Sequence, residues 1–314
     1  MDNNSLASFL EKKTLYYDKI DYDVIYKSWE ILEKHIKLPY VIHIVGTNGK
    51  GTTGRFLASF LNQLEKSVVH YSSPHVIKFN ERIWIDGADC SDKQLDTAHK
   101  KLQNILPTPI VKKLTYFEYT TLLALYLSDK LDYIVLEAGL GGEFDATNVV
   151  KNDLSLFTTF SLDHQSFLGD TIEKITTTKM KSCNNSFILG KQVYPEVYDI
   201  KNSLLTKFTE IEYKKDIQLP PSSKNLPSYL IDNLKLSLSC LDYLGLSSKS
   251  LKVSPLKGRF EKISDNIIID VGHNPLAAKA IYNELLKEDK KVILVYNSFK
   301  DKDYEEVLNI LKPM

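Results

Sequence analysis

The most constraining feature of the chain is the run Gly46-Thr47-Asn48-Gly49-Lys50-Gly51-Thr52-Thr53. It lies between a short apolar segment, Val41-Ile42-His43-Ile44-Val45, and a stretch whose apolar residues fall at Phe56, Phe60, Leu61 and Leu64. The first segment has the signature of a buried strand and the second that of a helix, so the glycines occupy the turn between them. Glycines let backbone N–H groups turn toward an anion, the helix N-terminus adds about half a positive charge, and Lys50 can reach a terminal phosphate oxygen. Thr52 or Thr53 can place a hydroxyl on Mg²⁺. A glycine separates the lysine from the hydroxyls, unlike the more frequent G-x-x-x-x-G-K-[ST] spacing. The segment therefore predicts a phosphate-binding loop.

The rest of the chain extends this unit. Val68-Val69-His70-Tyr71 supplies the next strand. Upstream, Ile25, Trp29, Leu32 and Ile36 lie on one helical stripe that should stop near Pro39. Downstream, capping signals at Ser91 with Gln94, Thr115 with Glu118 and Asp170 with Glu173 open helices that alternate with strands at Tyr133 to Leu136 and Leu154 to Phe160. Such alternation predicts an α/β fold: an N-terminal mononucleotide-binding domain with a mostly parallel sheet covered by helices. Between Lys214 and Asn233, Pro220, Pro221, Ser222, Ser223 and Pro227 break the pattern into a loop, and a helix follows through Leu234 to Leu244.

Around Ser254-Pro255 a smaller, Rossmann-like α/β segment begins. It comprises strand Ile267 to Val271, helix Pro275 to Leu286, strand Val292 to Tyr296 and helix Tyr304 to Leu311. We divide the chain accordingly into a nucleotide-binding domain, 1–253, and the start of a second domain, 254–314. Two strands and two helices in about 60 residues leave a long unpaired sheet edge, so this second domain is expected to be incomplete.

Composition narrows the class. The chain has 314 residues, 43% apolar and 25% charged, which suits two soluble domains and excludes disorder, collagen and coiled coil. Forty basic residues offset forty acidic ones, so no overall field draws the chain to nucleic acid or an anionic membrane. The three cysteines, Cys90, Cys183 and Cys240, are far apart and odd in number, which argues for reduced thiols. Met1-Asp2-Asn3-Asn4 has no signal-peptide pattern, and no apolar run reaches the roughly 20 residues of a membrane span. A cytoplasmic location is expected.

A second chemical signal is Leu131 to Gly142, in which the strand Tyr133-Ile134-Val135-Leu136 ends on Glu137 and runs into Ala138-Gly139-Leu140-Gly141-Gly142. Parallel sheets open their binding crevice at the carboxyl ends of the strands, so Glu137 is a Mg²⁺ ligand candidate there. Asp132, at the other end of the strand, is expected to be solvated.

Together with these residues, Ser73-Pro74-His75, Phe79-Asn80-Glu81-Arg82-Ile83, Asp145-Ala146-Thr147-Asn148, Leu162-Asp163-His164, Leu168-Gly169-Asp170-Thr171, Gly258-Arg259-Phe260-Glu261 and Asp270-Val271-Gly272-His273-Asn274-Pro275 resemble the folylpolyglutamate synthase/dihydrofolate synthase branch of the Mur ligase superfamily. The resemblance runs in order from about Leu10 to the C-terminus. It implies an ATP-dependent amide ligase acting on dihydropteroate or a reduced folate and on L-glutamate. The γ-phosphoryl group of ATP would pass to a pterin-linked carboxylate, and the glutamate amine would attack the acyl phosphate. A carboxylate repels a triphosphate, so such a site must supply positive charge and alignment.

By this resemblance Gly46 to Thr53, Arg259 and Asn274 bind ATP. Thr52, Ser73, Glu137 and His164 hold two Mg²⁺ ions, although Mg²⁺ ordinarily prefers oxygen to imidazole. Lys50, Lys179, Asp270 and His273 carry catalysis, with Lys179 as a carbamate, which would turn an ammonium into an anionic ligand. Phe117, Asp145 and Ala146 line the pterin pocket, whereas Glu118 is accounted for by capping Thr115. A monomer is expected. The sequence departs from the family at Glu143, where arginine is usual, and at Met180-Lys181-Ser182, where small apolar residues are usual.

Two other readings stand beside the ligase. One is a shortened family member that binds nucleotide without turnover, suggested by the end of the chain at Met314. The other is a cell-wall amino-acid ligase of the same superfamily, which Asp145 to Asn148 and Ser73 to His75 disfavour.

Overall fold

Strands with both faces apolar must be covered by helices on both sides, because neither face can be left to water. In the computed structural model the central strands are buried along almost their whole length. The structure describes residues 5–13, 21–246, 250–254, 256–287, 291–298 and 302–312. Met1 to Asn4, used above for the N-terminus, Pro255 at the domain boundary and Met314 lie outside the described residues.

The sheet strands are β1 (Tyr40–Val45), β2 (Val68–Tyr71), β3 (Ile83–Ile85), β4 (Ala88–Asp89), β5 (Tyr133–Glu137), β6 (Leu154–Phe157), β7 (Ser186–Leu189) and β8 (Thr209–Ile211). They run in the order β4-β3-β2-β5-β1-β6-β7-β8. Pairing is parallel from β2 to β8, and the short edge strands β3 and β4 are antiparallel. The chain leaves β1 toward β2 on one side and later builds β6 on the other, so the crevice beyond β1 lies where strand order reverses.

Side chains on β1 alternate between two cores. Ile42 and Ile44 pack with Phe56, Leu57 and Phe60 of helix Lys50–Gln63 and with Leu234, Leu238 and Leu241 of helix Ser228–Tyr243. Val41 joins Leu122 and Leu125 of helix Tyr116–Leu127 and Leu95 and Leu102 of helix Asp92–Ile105. A third cluster around Phe157, Phe187 and Met180 covers the β6–β7 end beneath helices Ile172–Met180 and Glu196–Leu204. Capping boxes at Ser91–Gln94 and Thr115–Glu118 fix two helix starts as expected.

Several boundaries differ from the sequence reading. The first long helix, Tyr22–Leu32, stops well before Pro39. The cap expected at Asp170 belongs to Thr171, whose hydroxyl accepts from Lys174 N–H, while Asp170 pairs with the Lys174 ammonium at 2.9 Å. The strand expected to reach Phe160 ends at Phe157. Helix Ser228–Tyr243 begins directly after Pro227, six residues ahead of Leu234, since proline is well tolerated at a helix start.

In the C-terminal segment, β10 (Ile267–Ile269) pairs antiparallel with β9 (Glu261–Ser264), a strand the sequence did not suggest. Residues 292 to 296 form no ladder among the described residues. Helices Pro275–Leu285 and Tyr304–Leu311 form as expected and share a small core of Ala278, Val307 and Leu311.

Phe56 is wholly buried between the sheet and helix Ser228–Tyr243. Truncating it leaves a cavity that this packing cannot fill, so Phe56→Ala is expected to lower unfolding free energy by about 3–5 kcal/mol. Urea denaturation followed by circular dichroism measures the loss.

Candidate functional site

The turn after β1 is shaped by close approach. Thr47 and Asn48 N–H donate to Thr159 O at 3.0 and 3.2 Å, tying the loop to the segment beyond β6. A side chain at Gly46 would collide with Thr158. Gly49 has φ +87°, and a side chain there would also strike Asn233 on helix Ser228–Tyr243. Helix Lys50–Gln63 then starts at the lysine, leaving its first N–H groups directed outward as a helix must.

Two ammonium groups converge on this loop. Lys50 Nζ donates to Gly46 O at 3.1 Å and Thr47 O at 3.2 Å, and the buried Lys179 Nζ donates to Gly46 O at 2.8 Å. Burial, reinforced by the charge of Lys50, lowers the Lys179 ammonium to about 7.

Glu137 closes β5 against the same loop. Its carboxylate accepts from Ser73 N–H at 3.1 Å, and a Cβ at Gly51 would come within 3.1 Å of Glu137 Oε2. Burial pushes its carboxyl up, and Lys50 pulls the other way. The Thr52 hydroxyl, lining the same cavity, is buried with no hydrogen-bond partner.

Beyond β6, His164 sits in a left-handed conformation (φ 51°, ψ 40°) at the start of the short helix Gln165–Leu168. Burial lowers its imidazolium, against the pull of Asp163, so the ring is neutral near pH 7. Asp163 is also flanked by His273 Nε2 at 3.7 Å and Lys302 Nζ at 3.0 Å. Burial pushes its carboxyl up, but His273, His164 and Lys302 outweigh that and hold it far below the usual carboxylate range.

The C-terminal segment closes over the loop through polar contacts. Asn48 and Asn274 exchange two side-chain bonds, at 2.7 and 3.1 Å, while Asn274 also caps helix Pro275–Leu285. Asp270 accepts from Tyr229 OH at 2.8 Å and from Phe260 and Gly272 N–H at 2.7 and 2.6 Å.

These residues border one cavity of about 430 Å³. The structure brings Gly46 to Thr52, Ser73, Glu137, His164, Lys179, Arg259, Asp270 and His273 onto it. Thr53 is buried behind the loop, and Asn274 reaches the site only through Asn48. Phe117, Asp145 and Ala146 are not in its lining. A Cβ at Gly139 would come within 2.6 Å of the Phe117 ring, and Asp145 is buried, accepting from Leu140 N–H and from Thr147.

Glu143 is answered locally, with Lys181 Nζ 3.1 Å from its carboxylate, so the two departures from the family pattern pair with each other. Sequence reasoning missed Lys302, Tyr229 and Asn233. Asp163, next to His164, was the one further neighbour visible by adjacency.

The donor set fits a hard divalent ion completed by phosphate oxygens and water. It offers a carboxylate, an unpartnered buried hydroxyl and a neutral imidazole. Among the described residues no three His, Cys, Asp or Glu side chains form a ready-made metal cage.

A phosphate loop at a parallel-sheet switch point, with a strand-end carboxylate and a second segment closing over it, defines a nucleotide-dependent α/β enzyme of the Mur ligase fold. Comparison with known proteins makes this particular. The dihydrofolate synthase/folylpolyglutamate synthase of Haemophilus influenzae is 34% identical, covering 98% of this chain and 80% of that protein. The crystal structure of Helicobacter pylori folylpolyglutamate synthetase superposes with TM-score 0.79 at 36% identity, covering 99% of this chain and 82% of that one. A bifunctional folylpolyglutamate synthase/dihydrofolate synthase with Mn, AMPPNP and L-glutamate bound matches with TM-score 0.81 at 29% identity, covering 98% and 81%. No family model matches the chain. The chain belongs to the dihydrofolate synthase/folylpolyglutamate synthase family of ligases.

Gly49→Ala is expected to weaken ATP binding by at least tenfold, because a methyl group at positive φ must displace the loop from its anion-holding shape. Isothermal titration with a non-hydrolysable ATP analogue checks it.

Proposed function

We propose that the protein joins L-glutamate to dihydropteroate or a reduced folate with cleavage of ATP to ADP and phosphate. The observation that carries this reading is the gathering of Lys50, Glu137, His164, Lys179, Arg259, Asp270 and His273 onto one cavity.

The first N–H groups of helix Lys50–Gln63 and the Lys50 ammonium hold the triphosphate and neutralise it as the substrate carboxylate approaches. A carboxylate oxygen bonds to the γ-phosphorus as the bridge to the β-phosphate breaks, releasing ADP. The glutamate amine then attacks the acyl carbon, loses a proton, and phosphate leaves. Thr52, Glu137, Ser73 and His164 would hold two Mg²⁺ ions, which would supply Lewis-acid charge for phosphoryl transfer. Arg259 and Asn274 keep the nucleotide under the C-terminal segment, and Asp270 with His273 face the incoming amine.

The division of labour follows residues 1–253 for ATP and pterin and 254–314 for glutamate. Phe117, Asp145 and Ala146 border the pterin on the far side of the Gly139–Leu140 turn. We read the working unit as a monomer. Its free, buried cysteines suit the reducing cytoplasm, and among the described residues no helix is long and apolar enough to cross a membrane.

Purified protein given ATP, Mg²⁺, L-glutamate and dihydropteroate or a reduced folate is expected to release ADP above blank. Lys50→Met should cut that rate by about 10²–10³. Nucleotide binding without ADP release on either pterin would overturn the reading.

Lys179 carries a carbamate. Carbon dioxide combines with the neutral amine, and an ammonium lowered to about 7 supplies that form. Raising pH from about 6 to about 8 takes the neutral fraction from about a tenth to about nine-tenths, so carbamate should grow across that window. NMR with ¹³C-bicarbonate is expected to show one carbamate carbon, absent in Lys179→Met; a spectrum without it sinks the assignment.

A further inference from the structure

Lys302 precedes helix Tyr304–Leu311, in the part of the chain most distant in sequence from the phosphate loop. Its side chain is only 9% exposed, yet no apolar core receives it. Its Nζ lies 3.0 Å from Asp163 Oδ1 and 3.1 Å from His164 Nε2. An ammonium only donates, so the ring nitrogen must accept, with its lone pair aimed at Nζ. That lone pair is the one a metal ion would need.

We infer that Lys302 holds the place of the divalent cation at His164 in the nucleotide-free protein. The inference rests on the proposed role of His164 as a metal ligand. Ion and ammonium compete for one ring nitrogen, so metal can load at His164 only as Lys302 withdraws. Asp163 keeps His273 Nε2 as a polar neighbour at 3.7 Å when Lys302 leaves. Metal loading and the position of this stretch of the C-terminal segment are thereby one event. The withdrawn ammonium stays tethered beside the cavity as a further positive charge for the phosphates. Lys302 is thus a positioning residue.

The test uses Mn²⁺ alone, titrated into the full nucleotide-free chain and followed by electron paramagnetic resonance. Lys302→Met is expected to bind Mn²⁺ roughly tenfold more tightly, because a competing cation at hydrogen-bond distance is removed. Lys302→Arg keeps the competitor and should stay near wild type. Lys279→Met removes a charge from the rim of the same cleft and should change affinity by less than about twofold, which separates competition from a general field effect.

In the wild-type protein, amine labelling read by mass spectrometry should show Lys302 protected without Mn²⁺ and reactive with it, a readout independent of whether any variant folds. Equal or weaker binding in Lys302→Met, or labelling that Mn²⁺ leaves unchanged, overturns the inference. His164→Ala separates the two ideas. If it weakens Mn²⁺ binding while Lys302→Met leaves it unchanged, the ligand assignment stands and only the competition fails. If it leaves binding unchanged, both fall.

Discussion

The architecture depends on two lysines sharing one carbonyl. Lys50 and Lys179 both donate to Gly46 O, in a place where burial and mutual repulsion disfavour two positive charges. That tension stays in place because the loop is locked from behind. Its Thr47 and Asn48 N–H groups are tied to Thr159, its glycines press on Thr158 and Asn233, and Lys179 is fixed by a helix packed on the β6–β7 core. The fold thus concentrates positive charge where an anion is to be bound and leaves one amine close to neutrality, the form that can acquire a carboxylate of its own.

Much of the sheet was readable from sequence because its strands are runs of buried β-branched residues, and the capping boxes at Ser91 and Thr115 mark helix starts by a local mechanism. What escaped was decided by tertiary contact. Edge strands β3 and β4 are too short for a period to show. The strand at Ile267 was legible, but its partner β9 was not, since Glu261–Ser264 carries three polar residues and a single, exposed isoleucine. The helix after Pro227 begins early because proline can open a helix as readily as it can end one.

For the site, motif residues with backbone roles were visible, since Gly46, Gly49 and Lys50 leave a spacing signature. Glu137 was visible for a topological reason, as the last residue of a parallel strand. Tyr229 and Lys302 were not, because a lone tyrosine or lysine carries no periodicity and its partner lies far away in the chain. Asp145 shows the limit from the other side. Its position in a motif suggested contact with substrate, and the sequence did not show the bonds to Leu140 and Thr147 that hold it in place.

Among the described residues, polar contacts join the C-terminal segment to the loop, to helix Ser228–Tyr243 and to the turn beyond β6: Asn48 with Asn274, Tyr229 with Asp270, Ser228 with Glu284 and Lys302 with Asp163. Bonds of this kind exchange readily with water, so parting them forfeits far less free energy than opening an apolar interface of similar extent. A seam held in this way resists parting only weakly. Substrates must enter and products must leave through the cleft it borders, and a boundary of polar bonds puts little in the way of that passage.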